Sequence, residues 1–177
     1  MKKSIPLFIA ALAAALIPAA PSRAADDGVA TTPTIQAAPY ASGNSLGGLQ
    51  TVPFFRNAYL SDSGVLDLIA LRSASGATAP IAFYIFDTLP VATTCADKTA
   101  FALGAADIPK LALQPFVLTP AAVTGASYTD AQLVQVQSVK NQDTPNGRVL
   151  YVCLVLNAAT TPPSTTDITF KLSGFVN

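Results

Sequence analysis

Two stretches of the chain are apolar at nearly every position, Ile81-Ala82-Phe83-Tyr84-Ile85-Phe86 and Val149 to Leu156. Runs this short, rich in β-branched and aromatic residues, predict strands covered on both faces rather than buried helices. Two other stretches alternate. In Ala131 to Val139, Val134, Val136 and Ser138 alternate with Gln135, Gln137 and Val139. In Asp167 to Phe175, Ile168, Phe170, Leu172 and Gly174 alternate with Thr169, Lys171, Ser173 and Phe175. Such alternation predicts strands with one face on a core and one toward solvent. Val65 to Leu71 reads as a further strand, and Leu111 to Leu118 as another that Pro115 confines to an edge or a bulge. Turn clusters separate these segments: Gly43-Asn44-Ser45 with Gly47-Gly48, Ser61-Asp62-Ser63-Gly64, Ser73 to Thr78, and Pro145-Asn146-Gly147. Asp97 is placed to cap a single helical turn over Asp97 to Phe101. No longer helical period follows the first residues of the chain. The pattern predicts an all-β fold, an antiparallel β-sandwich of jelly-roll or Ig-like type, with a β-barrel as the second choice.

Residues 1–24 depart from that pattern. Lys2 and Lys3 precede an apolar stretch from Ile5 to Ile17, and Ser22-Arg23-Ala24 has the small-x-small form of a cleavage site. The stretch is shorter than the roughly 20 apolar residues a spanning helix needs. A signal peptide cut after Ala24 is therefore expected, and with it a periplasmic or extracellular location. No second apolar span follows, so no membrane contact is expected after cleavage. Residues 25–36 have no apolar period and read as a flexible arm. Residues 37–177 then form a single β-sandwich domain.

Export changes the meaning of the two cysteines, Cys95 and Cys153. In an oxidising compartment an even count favours a disulfide over two buried thiols. Cleavage also removes Lys2, Lys3 and Arg23 and leaves all 10 acidic residues, so the exported chain is net acidic. Its remaining basic residues are scattered, whereas nucleic-acid binding needs several on one face. Only 11% of the chain is charged, against the roughly 25–35% of an ordinary free-standing surface. Such a coat suits a small neutral exported protein or a subunit partly covered by neighbours.

The chain has no His, and every acidic residue is Asp. Without His most nucleophilic triads and zinc sites are out of reach. Gly43-Asn44-Ser45-Leu46-Gly47 matches G-x-S-x-G, but no base exists and no helix begins there, so a glycine-rich turn is the expected reading. No S-x-x-K offers a lysine base instead. Asp62, Asp67 and Asp87 are hard oxygen donors, yet no D-x-D-x-D-G loop holds them. Asp67 shares a predicted strand face with Val65, Ile69 and Leu71, which points to an edge strand guarded by an inward charge, or else to a buried and hydrogen-bonded carboxylate. The aromatic residues are spread over the strands and read as core. No catalytic residue, metal or cofactor is assigned.

Several segments carry a resemblance. Tyr40-Ala41-Ser42-Gly43-Asn44-Ser45-Leu46-Gly47-Gly48 resembles the YxxGDxxGG opening of a group of small tailed-phage virion-associated β proteins. Ala82 to Pro90, Thr93 to Leu111 with its Ala106-Asp107-Ile108-Pro109-Lys110-Leu111 end, Leu150 to Val155, and Ser164 to Leu172 are similar to later segments of that group, in the same order. The resemblance implies a β fold and an accessory virion role, and brings no catalytic residues. The group generally lacks a leader and carries apolar residues where Cys95 and Cys153 stand. The expected function is that of an exported, non-enzymatic structural or interaction protein, with a protein partner or self-association. The alternative is a periplasmic or extracellular module for a small ligand or carbohydrate.

Overall fold

The computed structural model describes residues 28–53, 63–76, 79–122, 129–140 and 149–176. The expected signal peptide, and the turns expected at Ser61-Asp62 and Pro145-Asn146-Gly147, lie outside them. Among the described residues nine strands form: β1 Val29–Thr31, β2 Ser45–Pro53, β3 Ser63–Ser73, β4 Ile81–Phe86, β5 Phe116–Leu118, β6 Ala121–Ala122, β7 Thr129–Lys140, β8 Val149–Leu156 and β9 Ile168–Val176. A 3-10 helix spans Ala105–Lys110. The strands build two antiparallel sheets, β1-β9-β3-β7-β6 and β2-β8-β4-β5, and do not close into a barrel.

The pairing explains the topology. Pairs β1–β9, β2–β8, β3–β7 and β4–β5 are successive rungs of one long antiparallel ribbon formed by the two halves of the chain. Pairs β3–β9 and β4–β8 then roll the ribbon into two facing sheets. This is jelly-roll connectivity, which settles the choice against an Ig-like order.

Both apolar runs sit where their composition requires. β8 and β4 are the two inner strands of the four-stranded sheet. Ile81, Phe83 and Ile85 face the core with Leu150, Val152, Leu154 and Leu156. Ala82, Phe86, Cys153 and Val155, from the opposite phase, are buried too. The other sheet contributes Leu66, Ile69, Leu71, Ile168, Phe170 and Leu172 to the same core. Phe83 joins the layers: its ring stacks on Phe116 at 5.2 Å and meets the edge of Phe170 from the other sheet at 6.0 Å.

Four expectations are corrected. First, residues 28–36 are held in place. β1 pairs with β9, Ile35 is buried, and its N–H donates to Thr165 O at 3.1 Å. The segment lacks a period because it makes one short rung and then caps the core. Second, Asp67 is on neither an edge strand nor a hydrogen-bonded buried site. β3 lies between β9 and β7, and both ladders slip between Leu66 and Leu68. Against β9 Asp67 is the extra residue, and against β7 it stands opposite two, Gln135 and Val136; across this irregularity the inward phase resets from Leu66 to Ile69 and Leu71. Its Oδ1 is buried and meets no partner among the described residues. Third, Asp97 to Phe101 is a non-helical turn with Lys98 at φ 59°, and the helical turns come later, at Ala105–Lys110. Fourth, the glycine-rich turn ends by Asn44, and Gly47-Gly48 belong to β2 instead. Leu46 pairs Leu154 and Gln50 pairs Val152, so Gly47, Gly48 and Leu49 all stand opposite Cys153. The bulge needs glycine, because Gly47 and Gly48 have φ of 69° and 72°.

The position of Phe83 generates a stability contrast. Phe83→Ala is expected to cost about 3–5 kcal/mol, the range for emptying a packed aromatic site. Val117→Ala, on the half-exposed outer side of edge strand β5, is expected to cost below about 1 kcal/mol. Urea unfolding of the two variants measures the difference.

Candidate functional site: the braced β4–β5 connection

The outer apolar face of β4 and β8 needs a cover, and the connection from Asp87 to Pro115 supplies it. Phe101 lays its ring on Tyr84 with centroids 4.3 Å apart. Backbone bonds stitch the same segment to the entry of β2: Ser45 N–H donates to Thr99 O at 2.8 Å, Lys98 N–H to Ser45 O at 2.9 Å, and Phe101 N–H to Gly43 O at 2.9 Å. Cys95 is disulfide-bonded to Cys153 of β8, with Cα atoms 6.2 Å apart, as the sequence predicts. The bridge ties the connection to a central strand across a separation of 58 residues.

Two aspartates complete the attachment. Asp97 Oδ1 accepts from the Gly47 N–H at 2.6 Å and from the Tyr40 hydroxyl at 2.8 Å, so the β2 bulge and the cover lock each other. The Tyr40 oxygen in turn accepts from the Gln36 N–H at 2.8 Å. Burial pushes the Tyr40 hydroxyl up to about 12; the Gln36 bond opposes this and the Asp97 carboxylate adds to it. Asp107 is the second anchor. Its side chain is fully buried, and it accepts from Val91 N–H at 3.1 Å, Ala92 N–H at 2.7 Å, the Thr93 hydroxyl at 2.8 Å and Lys110 Nζ at 2.9 Å. Lys110 also donates to Leu89 O at 2.9 Å. Burial alone would raise the Asp107 pKa, but the bonds from Lys110, Thr93, Val91 and Ala92 outweigh it and hold the carboxyl below the usual carboxylate range.

This brace fixes an exposed apolar tip. Leu89, Val91 and Ile108 are 43%, 76% and 53% exposed, and the bonds to Asp107 and Lys110 hold the two segments that carry them together. A second feature lies on the outer face of the other sheet. A depression of about 320 Å³ is lined there by Ala30, Leu68, Ala70, Arg72, Thr169, Phe170 and Lys171.

The remaining sequence candidates are not gathered. Ser45 is fully buried on a strand, with its Oγ unpartnered among the described residues, so G-x-S-x-G here is no nucleophile elbow. Asp62 lies outside the described residues, and among those described no three metal-binding side chains cluster. The Asp107 brace escapes sequence reading, since nothing in Ala106-Asp107-Ile108-Pro109-Lys110 announces a carboxylate bonded to residues 14 to 16 positions earlier. Its only local signal is the Asp-x-x-Lys spacing. Compared with known protein families and with curated proteins, the chain matches none. Among the described residues no helix is long and apolar enough to cross a membrane.

Two measurements probe the anchors. A bridge over 58 residues stabilises by roughly 4 kcal/mol at most in chain-entropy terms. Paired Cys95→Ala and Cys153→Ala substitution should lower the urea midpoint accordingly, while the oxidised protein weighs two hydrogens less than the reduced one. For Asp107 the native carboxyl binds a proton less readily than the unfolded one, whose pKa is about 4. Its contribution is therefore complete above that value and lost as pH falls through and below it toward the depressed native pKa. Asp107→Asn should be less stable at neutral pH and should show a flatter decline in acid, read by urea melts between neutrality and acid.

Proposed function

We propose that this protein is an exported, non-enzymatic structural or interaction protein, whose recognition surface is the braced β4–β5 tip. The observation that carries this reading is that three large apolar side chains are held in solvent by a buried charge network. Loops are ordinarily mobile and polar. Fixing Leu89, Val91 and Ile108 in water brings no core burial, but it lowers the entropy lost when a partner covers them. The disulfide fits an oxidising compartment, and the leader-like residues 1–24 supply the route. The resemblance to tailed-phage virion proteins and the jelly-roll connectivity, which capsid and lectin domains also use, favour a role on a particle surface or in an envelope.

A second reading rests on the depression beside Arg72, Thr169 and Lys171, whose volume reaches the lower end of small-molecule sites. It makes the protein a carbohydrate or small-ligand module outside the cytoplasm.

Fractionation of native cells, culture medium and sedimented particles, probed with an antibody, tests the first reading. The protein is expected outside the cytoplasm, cut after Ala24, and associated with particles or envelope. Recovery from the cytoplasm with the leader intact would overturn it. Recovery as a free soluble protein that binds defined oligosaccharides would favour the second.

A further inference from the structure

The carboxylate of Asp67 takes no part in the brace. Its Oδ1 is buried and meets no hydrogen-bond partner among the described residues, and the buried Ser173 Oγ meets none either. The two residues are neighbours, because Leu68 pairs with Ser173 and Asp67 directly precedes Leu68. Ser173 is out of phase with the inward Leu172, so it belongs to the outer face of the five-stranded sheet. Arg72 and Lys171, cations of that face, are already engaged. A buried carboxylate oxygen costs free energy until a donor meets it.

The start of the chain lies beside this spot. The backbone at Gly28 runs so close over β9 that a Cβ there would collide with Lys171 Cε and Ser173 Oγ. Residues 25–36 hold neither Lys nor Arg. The one positive charge this arm can bring is therefore an α-ammonium, and it carries one only when the chain begins within it. We infer that the α-ammonium of Ala25, created by removal of the leader, seats on the Asp67 carboxylate and latches the arm across β9 to β3. The inference rests on the cleavage after Ala24 proposed above and assigns Asp67 as the receptor of the new terminus. A signal peptidase supplies the step: one water splits the Ala24–Ala25 peptide bond, leaving a carboxylate on the leader and an ammonium on the arm. Before the cut the same nitrogen is an uncharged amide, so the latch closes only on processed protein. The reach suffices. Three residues beyond Gly28 span up to about 10 Å, against one strand spacing of about 4.8 Å and one step of about 3.4 Å along β3.

The test uses the full chain, exported and processed, with its N-terminus read by sequencing. The α-amine is then acetylated near neutral pH, where it reacts ahead of the lysines because its ordinary pKa is about 8 against about 10. In the folded protein acetylation should run about 10-fold or more slower than in the guanidinium-unfolded chain, since an opposite charge in contact holds the amine protonated. Asp67→Asn should restore the unfolded rate, whereas Asp26→Asn, next to the amine on the arm itself, should leave it slow. An α-amine of the folded parent that reacts at the unfolded rate overturns the latch, and this comparison stands even where Asp67→Asn fails to fold. A slow rate that survives Asp67→Asn, or that Asp26→Asn relieves, overturns the pairing as well. A chain recovered still beginning at Met1 would sink the exported role and the latch with it, while a fast α-amine at Ala25 sinks the latch alone.

Discussion

A sheet with apolar residues on both faces cannot stop at two layers. β4 and β8 bury one phase of side chains against the opposite sheet and the other phase on the outside, and at roughly 25 cal/mol per Å² that outer phase is too much apolar area to leave wet. The jelly-roll ribbon turns around between β4 and β5, directly beside that face. The chain therefore lengthens this turn into a third layer. Most features of the molecule follow from keeping that layer down: the disulfide to β8, the Phe101–Tyr84 contact, the stitches to Ser45, and the bond from the Gly47 N–H in the β2 bulge to Asp97.

The exclusive use of Asp has a physical reading in the same terms. A cover layer without regular structure leaves backbone N–H groups needing partners. Short carboxylates reach them with little side-chain entropy to lose. Asp97 takes the Gly47 N–H, Asp107 takes those of Val91 and Ala92, and Asp167 takes that of Ser75 together with the Ser73 hydroxyl. Asp97, Asp107 and Asp167 each organise a loop in this way.

The strands were legible because burial leaves a period. The limits of β4 and β8 coincide with their apolar runs, and Pro115 does mark an edge, although the strand expected over Leu111 to Leu118 forms only after it, at Phe116–Leu118. The disulfide was legible from compartment and count. What failed was geometry that side-chain periodicity does not encode. Asp67 looked like an edge guard because a bulge of one residue mimics a charge on the inner face. Gly47-Gly48 looked like a turn because an irregular bulge and a turn ask for the same positive φ. Residues 28–36 looked free because a three-residue rung is too short to show alternation. The Asp107 brace joins residues that only the folded chain brings together.

The two sheets end up unequal, and the inequality is the last consequence of the third layer. On the four-stranded sheet the outer face is closed, and the layer that closes it ends in a rigid apolar tip. On the five-stranded sheet the outer phase of β3 and β9 is Leu68, Ala70, Arg72, Thr169 and Lys171, mixed in character and shallow in relief. Burying a carboxylate costs free energy unless several donors meet it. At Asp107 the donors are there, and what they fix in place is surface. The same bonds hold down the layer over β4 and β8, so the brace serves the covering of that face as well as the placing of the tip.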